Sequence, residues 1–203
     1  MMLVVVSNPT AVANEAQIIN RLFDEGLAHF HLRKPEWTEQ EIASLIKQIN
    51  PEYYSKIAMH QHHHLGNTFG IKRLHYTEHI RIATDVEVFN EQIKNGFILS
   101  TSIHTISTYY DLPEQFKYTF LGPVFGSISK LNYKAIDENK RIMEQAKTST
   151  KLIALGGITE VNGHLPFEWG FDGIAVLGSI WEEENKEIIS FNKIKAVCQT
   201  IAQ

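Results

Sequence analysis

One cysteine, Cys198, is all the thiol chemistry the sequence offers, so no disulfide can close within the chain. That scarcity suits a reducing compartment, and a place in a terminal helix makes Cys198 a packing residue rather than a nucleophile. Charge of neither sign dominates. Nineteen Lys and Arg against 23 Asp and Glu leave a formal charge of −4, which gives no global reason to expect nucleic acid or a membrane surface as partner. No apolar run approaches the length of a membrane span. The opening Met-Met-Leu-Val-Val-Val run is too short, and lacks the basic start, for a signal peptide. Linkers, low-complexity tracts and charge blocks are missing as well. The expectation is a cytoplasmic protein. Its 203 residues, 43% of them hydrophobic, form one domain over 1–203 with a substantial core.

What is present is an alternation of strand and helix signals. Short β-branched or apolar runs occur at Leu3–Val6, Ala28–Arg33, Lys56–His60, Ile71–Tyr76, Phe97–His104, from Tyr118, at Leu152–Gly157 and at Gly173–Gly178. Amphipathic stretches lie between them: Asn14–Gly26, Thr38–Ile49, Val86–Gly96, Thr108–Leu112, Ala135–Lys147 and Glu160–Gly170, with a last helix from about Glu187 to Ala202. Thr38 with Glu41 three residues on has the pattern of a capping box. Residues 77–85 carry no readable pattern. Roughly eight repeats in about 200 residues fit a single-domain (β/α)8 TIM barrel of the α/β class near its lower size limit. A flavodoxin-like open sheet needs only about five strands and is the lesser alternative.

A barrel changes the meaning of polar residues on its strands, because neither side of such a strand meets bulk water. In Ala28-His29-Phe30-His31-Leu32-Arg33, Phe30 and Leu32 are expected under the helices, with His31 and Arg33 pointing inward near the mouth. Ser100, Ser102 and His104 share one side of the fifth strand, and a histidine at the mouth suits proton transfer. His75 reads as structural or supporting. Glycine turns follow strands seven and eight, at Gly156-Gly157 and Leu177-Gly178, where accessible amides would hold a phosphate. Gly126, Ser127, Ser129 and Lys130 form a loop able to wrap an anion, although an ordinary polar loop would look the same. The run His60-Gln61-His62-His63-His64 invites a metal reading, yet adjacent residues diverge and no cysteine or suitable carboxylate accompanies them. No metal site is expected there.

Taken in order, His31-Leu32-Arg33, Ser102-Ile103-His104, Leu121-Gly122-Pro123-Val124-Phe125 with Lys130, Ala154-Leu155-Gly156-Gly157-Ile158 and Asp172-Gly173-Ile174-Ala175-Val176 resemble the thiamine phosphate synthase/TenI superfamily. The resemblance runs through nearly the whole chain and implies a barrel with a phosphate pocket above strands seven and eight. It implies that Arg33, Ser127, Ser129 and Lys130 bind a pyrimidine diphosphate, and that Ser102 lies in a substrate motif. Gly157, Leu177 and Gly178 would hold a thiazole phosphate, and His104 matches the acid/base histidine of TenI-type tautomerases. Relatives imply a homodimer.

Departures from the pattern bear on mechanism. The synthases' lysine two places after the arginine is Pro35 here, and their Asn-Asp pair aligns with His60-Gln61. A second magnesium aspartate falls on Ile80, with Glu78 nearby. Gln61 and Ile80 do not make a hard-cation site. The leading expectation is therefore TenI-type tautomerisation of a phosphorylated thiazole carboxylate, which needs no cofactor. The alternatives are a synthase that uses Mg2+ to join the pyrimidine diphosphate to the thiazole phosphate, and a barrel that binds such a phosphate without catalysis.

Overall fold

A computed structural model describes residues 1–126 and 149–200. Eight parallel strands close into a barrel in sequence order: β1 Met2–Val6, β2 His29–Leu32, β3 Ile57–Met59, β4 Arg73–Tyr76, β5 Ile98–Ile103, β6 Phe116–Leu121, β7 Lys151–Leu155 and β8 Gly173–Val176. Pairing of β1 with β8 completes the ring, with Val4 opposite Ala175 and Val5 opposite Val176. Closure removes both sheet edges, so every strand finds backbone partners on two sides. The (β/α)8 expectation holds.

Helices α1 Glu15–Asp24, α2 Glu39–Gln48, α3 Leu65–Phe69, α4 Glu78–Ala83, α5 Val86–Lys94, α6 Ile106–Tyr110, α7 Leu165–Glu168, α8 Gly178–Trp181 and α9 Glu187–Thr200 surround the barrel. The capping box forms as its spacing demands. Glu41 N donates to Thr38 Oγ1, while the Glu41 carboxylate accepts from Thr38 N. A 3-10 turn at Pro51–Lys56 links α2 to β3. The expected helix over Glu160–Gly170 shrinks to α7. Before it, Asn162 Oδ1 accepts from Thr159 N and ties the chain into a turn. The helix read over Ala135–Lys147 lies outside the described residues.

Two apolar layers follow from the strand alternation. Outward residues such as Val5, Phe30, Leu32, Leu74, Leu99 and Ile174 pack under the helices. Each such fully buried side chain contributes about 1.5–3 kcal/mol. Inside the barrel, Val4, Val6, Tyr118, Phe120, Ile153 and Ala175 form a smaller cluster. That apolar filling comes from β1 and β6–β8. The half lined by β2–β5 is instead polar, with His31, His60, His75 and Ser100 all buried.

Lys34 does not reach the mouth. Its fully buried ammonium donates to Glu15 Oε2 at 2.6 Å and to the Thr10 carbonyl at 2.6 Å, and lies 4.6 Å from the Trp37 ring centre. Burial pushes the Glu15 pKa up and the Lys34 pKa down, each against the attraction of its partner. Desolvation is thus the leading influence on both groups, the usual state of a buried pair. Lys34→Met alone should cost about 3–5 kcal/mol, because it strands the Glu15 carboxylate. Adding Glu15→Leu should restore most of that loss, as read from urea unfolding of both variants. A double variant no better than the single one would show that the pair itself, rather than the stranded charge, supplies the stability.

Candidate active site

The carboxyl ends of the strands define the mouth. At β2, the backbone of Arg33 is held by a reciprocal clasp: Arg33 N donates to Ser7 Oγ at 2.8 Å, and Ser7 Oγ donates to the Arg33 carbonyl at 2.9 Å. The half-buried guanidinium makes no hydrogen bond or ion pair among the described residues. It is near enough to His60 and His75 to help lower the pKa of each. A free cation above buried imidazoles is a receptor for an anionic group. Ser7 was not singled out by sequence, since a serine after a strand carries no signal until β2 is beside it.

Beneath Arg33 lies a cage of imidazoles. His31 shares hydrogen bonds through Nδ1 with His60 Nε2 at 2.9 Å and through Nε2 with Tyr118 Oη at 2.8 Å. His75 bridges two serines of β5, with Nδ1 2.9 Å from Ser100 Oγ and Nε2 2.8 Å from Ser102 Oγ. The His60 and His75 rings stack with centres 4.1 Å apart, and Phe120 covers His75 from the other strand wall. His31 and Arg33 therefore do point inward, but His31 has no exposed surface and forms the floor rather than the lining of the mouth. Ser102 is half-buried, and its hydroxyl is occupied by His75.

Burial keeps these rings neutral. It pushes His75 down to about 3, helped by His63 and Arg33. His29, one layer lower, goes to about 4 through burial and then Arg73 and Lys151. His31 and His60 are also held well below the ordinary imidazole range, by burial first and by neighbouring His75 second.

His104 stands apart, at the rim beyond β5, with its side chain 68% exposed. Its Nδ1 lies 3.1 Å from the Gly122 carbonyl, which can only accept, so Nδ1 carries the proton and Nε2 offers a lone pair. Glu78, on the first turn of α4, places Oε2 3.9 Å from that Nε2 and also faces Arg81 at 3.6 Å. An exposed imidazole held at Nδ1, with a carboxylate near Nε2, can take and return a proton.

On the opposite rim, Gly156, Gly157, Ser179, Leu177 and Gly178 line a cavity of about 200 Å³. Gly156 and Gly157 have φ of +104° and +65°, and a Cβ on either would come within 2.8 Å of Pro123 or Phe125. Both glycines are thus required by the close passage of the strand-six loop, whose Phe125 N donates to the Gly156 carbonyl. Ser179 adds a hydroxyl that is buried and unpartnered. The Glu182 carboxylate leans over Gly178 from an exposed position. Ser127, Ser129 and Lys130 lie outside the described residues. A larger cavity of about 370 Å³ opens between α1 and α2, beside Val12, Glu15, Trp37 and Glu41, away from the mouth.

The exposed-looking histidine run scatters as its adjacency demands. His62 contacts the Trp37 carbonyl, His63 the His75 carbonyl, and His64 the Glu39 carboxylate.

Comparison with known proteins gives a consistent result. A family profile described as "Thiamine monophosphate synthase" matches residues 2–180. A thiamine-phosphate synthase of Lysinibacillus sphaericus (strain C3-41) is 28% identical over 106 residues, which cover 48% of this chain and 50% of that protein. The match thus spans about half the length of this curated relative. Among solved structures, thiamine phosphate pyrophosphorylase from Bacteroides thetaiotaomicron superposes with a TM-score of 0.80 over 98% of both chains at 28% identity. The thiamine phosphate pyrophosphorylase from Pyrococcus furiosus has the same TM-score, 0.80, at 15% identity, covering 100% of this chain and 97% of that one. The second likeness is one of fold.

The neutral cage makes stability depend on pH. Folded-state pKa values lie below the unfolded value near 6.5, so the unfolded chain takes up protons first as pH falls. The stabilisation is complete above about pH 6.5 and is lost progressively toward the folded values, about 4 for His29 and about 3 for His75. Between pH 7 and 5.5 each caged imidazole should remove about 1 kcal/mol, hence about 3 kcal/mol for His31, His60 and His75 together. Urea unfolding in metal-free buffer at the two pH values measures this. Equal midpoints would mean that the rings charge in place.

Proposed function

The chain belongs to the thiamine monophosphate synthase family, and on that premise we propose that it is an enzyme acting on a phosphorylated thiazole carboxylate, moving a proton between ring positions in the TenI manner. The observation that carries this reading is His104, whose Nδ1 is anchored on the Gly122 carbonyl while Nε2, 3.9 Å from Glu78 Oε2, belongs to a side chain largely open to solvent. Nε2 takes a proton from one position of the thiazole and returns it at another, so the histidine ends neutral as it began. Glu78 steadies the imidazolium in between. The amides of Gly157 and Gly178 and the Ser179 hydroxyl anchor the phosphate, with Gly156 and Leu177 shaping the pocket. Arg33 draws the carboxylate over the imidazole floor, and Ser102 helps hold that floor in place.

The residues present do not fit a magnesium ion at the positions where the resemblance would place it. Gln61 Oε1 is engaged by the Lys34 amide at 3.2 Å, and Ile80 offers no oxygen. A second reading, condensation of a pyrimidine diphosphate with the thiazole phosphate, is favoured by the likeness to a thiamine-phosphate synthase and a thiamine phosphate pyrophosphorylase. It would require Mg2+ held by other groups. No helix among the described residues is long and apolar enough to cross a membrane. Exposed Ile80, Ile82, Val86, Val88 and Ile93 on α4 and α5 support a homodimer.

Two assays decide between the readings. With the thiazole carboxylate phosphate alone and EDTA present, tautomer conversion is expected, and His104→Ala should lower kcat about 10²–10⁴-fold with little change in KM. Release of pyrophosphate from the two phosphorylated halves, strictly dependent on Mg2+, would instead establish the synthase. Binding without either reaction would leave a barrel that only holds the phosphate. Light scattering measures the oligomer, and a monomeric mass at micromolar concentration would remove the apolar helix face as a dimer contact.

A further inference from the structure

His31, His60 and His75 come from three neighbouring strands, and one ligating nitrogen from each lies within 4.8 Å of the others. The proton-transfer reading uses them only as a floor. Core histidines are commonly explained by matched hydrogen bonds, and that account covers His75, with a serine on each ring nitrogen. It does not cover His60. His31 Nδ1 and His60 Nε2 face each other at 2.9 Å, so one proton must serve both. Whichever ring holds it, His60 Nδ1 is buried with no partner at all. Leaving such a group unmatched costs about 1–3 kcal/mol, so matched hydrogen bonds alone do not account for the cage.

We propose that the three imidazoles supply three ligands of a buried transition-metal site of the Zn2+ class beneath the barrel mouth, its fourth position left to water, cross-linking β2, β3 and β4. Three neutral nitrogens and no carboxylate select a borderline-soft cation and reject Mg2+ or Ca2+, which need oxygen ligands. Nitrogens at about 2.0–2.1 Å from one ion lie about 3.3 Å apart, so the triangle closes by no more than about 1.5 Å. The supporting contacts are already built. Tyr118 Oη accepts from His31 Nε2–H and thereby frees the lone pair on Nδ1, and a serine of β5 fixes the remaining nitrogen of His75. His31 and His75 have no exposed surface and His60 is 4% exposed, so the site is structural, and bound metal stabilises the fold by mass action. The proposal is independent of which reaction the mouth performs.

The test uses the full-length chain without a histidine tag, stripped with EDTA, equilibrated with micromolar Zn2+ and desalted. About one equivalent of zinc should remain, and the melting temperature should rise. His60→Asn and His75→Asn should each reduce retained zinc at least about fivefold, whereas His62→Ala with His64→Ala should leave it near one equivalent. Zinc that leaves with the surface pair, or wild-type protein that keeps none, overturns the site. Should the cage variants fail to fold by circular dichroism, zinc-edge X-ray absorption of the wild type decides. Three imidazole nitrogens support the proposal, and one or none overturns it.

Discussion

A neutral imidazole inside a barrel is held by the partners its nitrogens can find, and this constraint shapes half of the interior. The apolar half, from Val4, Val6, Phe120 and Ile153, is satisfied by close packing. The other half is satisfied by direction. Tyr118 and the two serines of β5 exist there as partners for rings rather than as fillers of volume. Because the cage fixes the heights of β2 to β5 relative to one another, it also fixes Arg33 and His104 above it. The mouth inherits its geometry from the floor.

Much of this was readable from residue order. Alternation along Ala28–Arg33 placed Phe30 and Leu32 outward and the polar residues inward, and Thr38 with Glu41 located the start of α2. Where reading failed, the reasons are physical. Helix α4 gave no pattern because Ile80 and Ile82 both face solvent, so no apolar stripe marks its inner side. The histidines that look clustered in sequence diverge, while the three that meet are far apart along the chain. Their meeting depends on register, with His31 beside Ala58 and Ala58 beside Arg73, one step below His60 and His75. Composition does not encode that offset. The glycines after β7 were legible as a tight turn, but the neighbours that demand them, Pro123 and Phe125, belong to another loop.

The site joins two economies of structure. On one rim, glycine backbone and an unpartnered serine hydroxyl line the cavity, with no cation among the described residues of that lining. On the other, a single histidine is oriented by a carbonyl that the end of β6 already presents. Between them Arg33 supplies the one unmatched positive charge at the mouth among the described residues that the strands themselves carry.

The seam between β1 and β8 has a consequence for biogenesis. Met2 N donates to the Asp172 carbonyl, and the Trp181 indole donates to the Val6 carbonyl at 2.7 Å, so the first strand is completed by residues near the other end. During synthesis at about 5–20 residues per second, on the order of ten to thirty seconds separate the emergence of the two sides. Throughout that interval Leu3-Val4-Val5-Val6 is an apolar strand with one open edge. A nascent chain of this protein thus cannot close its barrel until its last strand arrives.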